Sequence, residues 1–332
     1  MPRARSDRPR YLPRHRRNTR GPQRFGSSGL NMHSLLDRPS KVDVRDFAKP
    51  FEPEERLAGF IDGLPNILAG KDFKDFLALL QTARRKKRAI LFALGAHVIK
   101  VGLNPVLIRL MKDGWITGIA LNGAGIIHDF EIAFCGRTSE DVGAQLRSGK
   151  FGMARETGEL LNKAIRRGAV QGIGLGEAVG RMMADSHFPY RYLSLLFSAH
   201  ELGIPVSVHV AIGTDTIHFH PGASGEALGK TSLTDFFLFC SLLEKLEGGG
   251  VFINIGSAVV LPEVFLKALS YVRNRGAKLE KFSTAVFDFL HHYRPEQNVV
   301  RRAVGKKGRG FYFIGHHEIM VPLLAAALAA GS

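Results

Sequence analysis

Beyond about residue 50, short apolar runs rich in β-branched and aromatic residues alternate with longer stretches whose apolar positions recur at helical spacing. The runs 89–94, 115–121, 205–211, 251–255, 281–286 and 310–314 read as strands. Helical patterns occupy 57–68, 73–84, 139–148, 152–167, 176–184, 190–202, 233–247, 262–275 and 317–330. Asp72 is placed to cap the second of these, and Pro105 suits the first turn of a further helix through Met111. Residues 213–229, rich in Gly and His, read as a loop. Strands that alternate with helices predict an α/β fold, a doubly wound, mostly parallel sheet covered on both faces.

Ligands of such sheets bind outside the carboxyl ends of the strands. That edge collects residues 95–97, 122–128, 209–215, 256–259, 284–288 and 315–318, which are rich in Gly, His, Asp and Glu. The clearest of these junctions is 116–131. An apolar strand stops at Asn122-Gly123-Ala124-Gly125, and an amphipathic run carrying His128, Asp129 and Glu131 follows. A glycine turn at a helix N-terminus exposes backbone N–H groups that suit phosphates and carboxylates, so an anionic ligand or dinucleotide is expected there.

The net charge of +16 suggests nucleic acid, but its placement qualifies that reading. Residues 1–31 hold nine arginines and one aspartate, half of the excess. The division expected is a basic, disordered arm over 1–50 and an α/β domain over 51–332. The arm reads either as a contact for RNA or another partner, or as an extension, with Met32 an alternative start. Cys135 and Cys240 are too few for a disulfide framework, which points to a reducing cytoplasm. No apolar segment reaches the roughly 18 residues of a membrane span, and 1–31 lacks the apolar stretch of a secretory signal.

Three motifs fall short of their templates. Gly225 to Thr231 resembles a Walker A loop that is one residue short, and Thr231 or Ser232 reads better as a helix cap. Gly172 to Gly180 has the glycines of a dinucleotide fingerprint but follows a helix, so a helix–helix turn is expected. His218 and His220 would share one face of a strand, and with the His316–Glu318 cluster would suit a metal-dependent hydrolase. Hydrogen-bonded histidines without metal are the other reading, and no metal is expected.

Taken together, these turns resemble the deoxyhypusine synthase family and its bacterial deoxyhypusine synthase-like relatives. The likeness runs from about Leu94 to Ala330. Asn122 to Asp129 is similar to that family's Thr-Ala-Gly-Gly-x-Glu-Glu-Asp turn, and Gly95-Ala96-His97 through Gly102 to its Ser-Asn segment. Ile204-Pro205-Val206 followed by Gly213-Thr214-Asp215 resembles its Ile-Pro-Val strand and Gly-Asp turn. Residues 251–260 resemble its strand ending in three glycines, residues 282–288 with Arg294-Pro295 its Asn-Thr-Ala segment, and Pro322-Leu323-Leu324 its last helix.

The resemblance implies a Rossmann-like homotetramer in the cytoplasm that binds NAD and transfers an aminobutyl group from a polyamine to an acceptor amine. It implies NAD contacts at Asn122, Gly123, Ala124, Gly125, Gly256, Ser257, Ala258, Thr284, Ala285 and Asp288. It implies ammonium anchors at Asp215 and Glu296. Where the family carries its catalytic lysine this chain has Ala303, and Lys306 or Lys307 takes its place only with a three-residue insertion. His128 stands where the family has a glutamate, and His316-His317-Glu318 replaces its Asp-Ala-Ser turn. The expectation is therefore an NAD-dependent transferase of alkyl groups acting on an amine or polyamine, distinct from true deoxyhypusine synthase. Its candidate catalytic residues are His128, His317 and Lys306. The alternatives are an NAD-binding protein without transferase activity and the metal-dependent hydrolase.

Overall fold

The computed structural model describes residues 56–331. The basic arm expected over 1–50 lies outside them. Two helices, α1 (Leu57–Gly63) and α2 (Leu68–Arg85), lead into strand β1 (Ile90–Leu94). Then come α3 (Ala96–Lys100), α4 (Asn104–Lys112), β2 (Gly118–Asn122) and α5 (Gly123–Cys135). Helices α6 (Val142–Arg147), α7 (Arg155–Gln171), α8 (Leu175–Ala184) and α9 (Leu195–Glu201) precede β3 (Val206–His209). The second half runs α10 (Gly225–Glu244), β4 (Gly250–Ile255), α11 (Val260–Asn274), β5 (Phe282–Asp288) and the short α12 (Tyr293–Pro295). After a wider helical turn over Glu296–Arg301 it closes with β6 (Gly310–Ile314) and α13 (His317–Ala330).

Among the described residues six strands form one sheet in the order β3-β2-β1-β4-β5-β6, and every pairing is parallel. β1 pairs with β2 on one side (Leu91 opposite Gly118) and with β4 on the other (Ile90 opposite Val251). The chain therefore winds outward twice from the centre, and the reversal between β1 and β4 is the topological switch point. Strands β1, β4 and β5 are buried along their whole length, so they read as continuous apolar runs. Ile90, Phe92 and Leu94 face α2, α4, α5, α9 and α13, whereas Leu91, Ala93, Phe252 and Val286 face α10 and α11.

The edge strand β3 is closed by side chains of α10. Val208 turns its N–H outward to Asp235 Oδ2 (2.8 Å), and its carbonyl accepts from Ser232 Oγ (3.1 Å). The Val210 N–H donates to the same hydroxyl (3.2 Å). Asp235 Oδ2 also accepts the Gly176 N–H at the start of α8 (2.9 Å), and burial pushes its pKa up to about 7.

Several local expectations are corrected. The helix expected over 57–68 ends at Gly63, and the next begins at Leu68, so Asp72 lies inside α2 and caps nothing. Gly225 to Thr231 is the first part of α10 with Ser224 as its cap, which removes any phosphate loop and places Thr231 and Ser232 within the helix. His218 lies in a 3-10 turn over Thr216–Phe219 with His220 just after it, so the two do not alternate on a strand. Gly172 ends α7 in the left-handed conformation (φ 70°) and Gly174 precedes α8, the expected helix–helix turn.

Candidate functional site

Three histidines from three elements gather near the switch point. The turn after β1 carries Gly95 and His97, and that after β4 carries Gly256 to Val259. These turns touch backbone to backbone: a Cβ on Gly95 would lie 2.1 Å from the Gly256 carbonyl oxygen. Gly256 itself is left-handed (φ 67°), and a Cβ there would meet His317 Cε1 at 2.8 Å. Glycine is required at both positions by close approach, and at Gly256 also by conformation.

His317, the first residue of α13, is fully buried. Its ring lies 5.6 Å from those of His97 and Phe289, and Phe289 stacks on His316 at 6.2 Å with an interplanar angle of 7°. Phe289 is 43 % exposed, so the shelf presents an open aromatic face. The Nε2–H of His317 donates to the Phe287 carbonyl (3.3 Å), leaving Nδ1 buried without a partner. Burial is the main force that lowers the His317 pKa.

His128 lies in the second turn of α5. That helix starts because Asn122 Oδ1 accepts the Gly125 N–H (3.1 Å), and it stops at Gly136 (φ 72°). Burial, then the charges of Lys100 and His97 on α3, lower the His128 pKa. His128 and His317 are thus neutral bases at pH 7, each under the electrostatic influence of His97.

Asp215 closes the β2 side. Its Oδ2 lies 2.0 Å from where a Gly123 Cβ would stand, so any side chain there would have to displace the carboxylate. The same oxygen is buried without a hydrogen-bond partner, as is His218 Nε2, 3.6 Å away. The N–H groups of Gly213 (3.1 Å) and Asp215 (3.4 Å) donate to His218 Nδ1, which places the imidazole proton on Nε2, facing the carboxylate. Burial pushes the Asp215 pKa up to about 6. The glycine turn is therefore not an open anion cradle: Asn122 already holds the Gly125 N–H, and a carboxylate fills the space beside Gly123.

The remaining expected residues divide. Gly256, Ser257 and Ala258 form the turn between β4 and α11, where Ser257 Oγ caps the helix through the Leu261 N–H (3.2 Å). Beneath it Asn254 Oδ1 is another buried oxygen without a partner. Asp288, at the end of β5, accepts from the Phe289 N–H (2.8 Å) and lies 3.8 Å from His292 Nε2. Glu296 is bridged by Arg301 and lies 3.4 Å from His291.

Thr284 and Ala285 lie within a buried strand, because β5 runs on to Asp288, and the Thr284 hydroxyl donates to the Val299 carbonyl (2.7 Å). Lys306 lies elsewhere on the sheet. It lies in the turn before β6, at the amino edge of the sheet, where neighbouring Lys307 pairs with Glu280 (2.8 Å). The length of β6 separates it from the histidines, about 16 Å at roughly 3.3 Å per residue. Lys100, at the end of α3, is near enough to His128 for its charge to lower that pKa. The His218, His220 and His316–Glu318 metal centre does not assemble, since among the described residues no group of three His, Cys, Asp or Glu side chains could hold a metal ion.

A groove of about 190 Å³ between α7 and α8, lined in part by Leu160, Lys163, Arg167 and Arg181, lies away from this edge. None of its lining side chains carries a buried unpartnered atom, whereas four of the seven such atoms among the described residues, on Asp215, His218, Asn254 and His317, lie along the carboxyl edge. The site is placed at that edge.

The architecture defines the chain as a Rossmann-like α/β protein with an all-parallel six-stranded sheet. No family model and no curated protein sequence matches it. Among solved structures, unliganded AgrE is 15 % identical with a TM-score of 0.52, over 85 % of this chain and 34 % of its own. The ternary complex of AgrE with ornithine and NAD+ is 15 % identical with a TM-score of 0.50, over 79 % and 33 %. A chain from Entamoeba histolytica provisionally named a deoxyhypusine synthase is 10 % identical with a TM-score of 0.49, over 85 % and 96 %. The chain thus spans about a third of the length of the AgrE chains it matches. Among the described residues no helix is long and apolar enough to cross a membrane.

Proposed function

We propose that this protein is an NAD-linked enzyme acting on an amine or polyamine, transferring an alkyl group with histidine bases in place of a catalytic lysine. The observation that carries the reading is the packing of His97 and His317 with the open Phe289 shelf at the switch point, with His128 near enough to His97 to feel its charge. Its chemical classes are those of the ornithine and NAD+ in the AgrE complex.

The residues present fit a dinucleotide on the β4 side. Gly256, Ser257 and Ala258 would hold it, since backbone can approach closely there and the Phe289–His316 pair offers a flat surface for a ring. On the β2 side, Asp215 makes Asn122 to Gly125 a surface for a cation rather than a phosphate. A bound NAD would supply a hydride acceptor for the carbon beside the substrate nitrogen and would return the hydride once an acceptor amine had replaced the leaving amine. The protein's part is to hold the ammonium and remove its proton. Asp215 is the better anchor of the two carboxylates, because its Oδ2 is unpartnered while Glu296 is bridged by Arg301. The His128 ring takes the proton at Nε2, and His317 offers a second lone pair at Nδ1.

The test is binding first and turnover second. NAD is expected to raise the melting temperature of the purified protein, and an unchanged melt at millimolar NAD overturns the reading. With spermidine as the amine, NADH absorbance should grow, and Asp215→Asn should abolish the growth without abolishing the NAD shift. The rate should fall on acidification with a midpoint below pH 6.5, because burial lowers the pKa of both bases from that value.

A further inference from the structure

Behind His128 lies a chain of side chains that no acid–base role has yet absorbed. His128 Nδ1 lies 2.6 Å from Thr138 Oγ1, and the Thr138 hydroxyl donates to Glu131 Oε2 at 2.6 Å. Thr157 on α7 donates to the other oxygen, Glu131 Oε1, at 3.2 Å. Three elements meet here: α5 supplies His128 and Glu131, the segment after Gly136 supplies Thr138, and α7 supplies Thr157. Thr157 is 6 % exposed, so the far end of the chain is fixed inside the protein.

The direction of these bonds decides a tautomer. A carboxylate has lone pairs and no proton to give, so Thr138 spends its one hydroxyl proton on Glu131. The same hydroxyl can then only accept from the imidazole, which puts the His128 proton on Nδ1 and leaves a lone pair on Nε2. Lys100 and His97, both on α3, are the charged or titratable groups that act on the ring from outside its own helix.

We infer that Thr138 and Glu131 form a positioning relay that holds His128 in its Nδ1–H tautomer with Nε2 as the working base. This rests on the reading of His128 as the proton acceptor in the proposed reaction. When Nε2 takes a proton from the substrate nitrogen, the imidazolium keeps its Nδ1–H bond to Thr138. Glu131, two hydrogen bonds away, stabilises the new positive charge, and no proton need leave the relay. The logic is that of an oriented histidine in a hydrolytic triad, where the third group fixes the tautomer. Here a hydroxyl is interposed and the reaction differs.

The experiment reads the tautomer directly, without any ligand, from the imidazole nitrogen chemical shifts of ¹⁵N-histidine-labelled protein at pH 8. His128→Gln assigns the signal. The wild-type protein should show Nδ1 protonated and Nε2 bare. Thr138→Val, which keeps the shape and removes the hydroxyl, should shift His128 toward the Nε2–H form, and Thr138→Ser should restore the wild-type pattern. Glu131→Gln should weaken the preference, because an amide can donate to Thr138 as well as accept from it. A wild-type Nε2–H tautomer, or an unchanged tautomer in Thr138→Val, overturns the relay.

Where spermidine-dependent NAD reduction is measurable, His128→Gln should lower kcat on the order of 10²-fold. Thr138→Val should lower kcat by about tenfold or more with KM little changed, and Thr138→Ser should recover it. If NAD fails to bind while the tautomer pattern holds, the enzyme reading falls and the relay stands. If NAD binds and Thr138→Val leaves the tautomer unchanged, the reverse is true.

Discussion

Asp129 and Asp215 are two buried aspartates, one on helix α5 and one against its first residue, and burial pushes both carboxyls up to about 6. Their surroundings differ completely. Asp129 Oδ1 accepts from the Leu195 N–H (2.7 Å) and Asn104 Nδ2 (3.0 Å), and Oδ2 accepts from the Ser194 hydroxyl (2.5 Å) and the Leu196 N–H (3.1 Å). The carboxylate thereby pins α5 to the start of α9. Asp215 Oδ2 has no donor at all and faces His218 Nε2, which lacks a bonded partner as well. Burial alone therefore does not mark a working group. Two unpartnered polar atoms facing each other, as at Asp215 and His218, are the informative sign, because leaving both so is unfavourable.

The comparison makes predictions of opposite sign. Asp129→Ala, which orphans four donors, should lower stability by about 4 kcal/mol in chemical denaturation. A loss below about 1 kcal/mol would show that the pin is dispensable. Gly123→Ala forces a methyl group into the Asp215 carboxylate and should destabilise by about 3 kcal/mol. Adding Asp215→Ala should recover much of that loss, and simple additivity of the two would place the carboxylate elsewhere.

Asp215→Asn should instead stabilise the fold by about 2 kcal/mol at pH 8, with no gain near pH 4. The sign follows from a folded pKa near 6 against 3.8 for the ordinary carboxyl. Between those values the folded protein keeps a proton that the unfolded chain has released, so the stability linked to this carboxyl is full below 3.8 and lost as pH rises to about 6. A destabilised Asp215→Asn would make it a structural group like Asp129. The smallest effect is expected from Lys306→Ala with Lys307→Ala: turnover and melting temperature should not change, and lost turnover would bring the amino edge back into the chemistry.

Much of the fold was legible in the chain. Residues 310–314 and 317–330 were read with the bounds of β6 and α13, because apolar runs and a helix start leave local marks. Gly225 to Thr231 misled because its glycines suggest a loop, whereas Ser224 caps a helix that buries Ala227, Leu228 and Thr231. Helix α3 was missed because five residues are too few to show a period. The wider turn at Glu296–Arg301 follows Pro295 and has no apolar rhythm of its own.

The site was legible as a set of turns but not as a set of partners. Glu131 lies three residues after His128 on one helix, a spacing readable from sequence. Thr138 reaches both only because the chain after Gly136 folds back along α5, and nothing in its composition announces that return. Thr284 lay in a segment correctly read as a strand, and the error was to end that strand too early. Lys306 drew attention by proximity in sequence, whereas topology sets it at the opposite edge of the sheet from the histidines.

The side chains of α10 that close β3 bear on a different problem, how this molecule avoids sticking to itself. An edge strand with free N–H and carbonyl groups is a template on which another strand can grow. Here the outward groups of Val208 and the N–H of Val210 are already taken by Asp235 and Ser232. A newcomer at that edge would have to break a buried carboxylate bond before making a ladder bond. Sheet extension is thus blocked on the β3 side by chemistry rather than by shape. Weakening that block, for example with Asp235→Ala, would be expected to show first as aggregation.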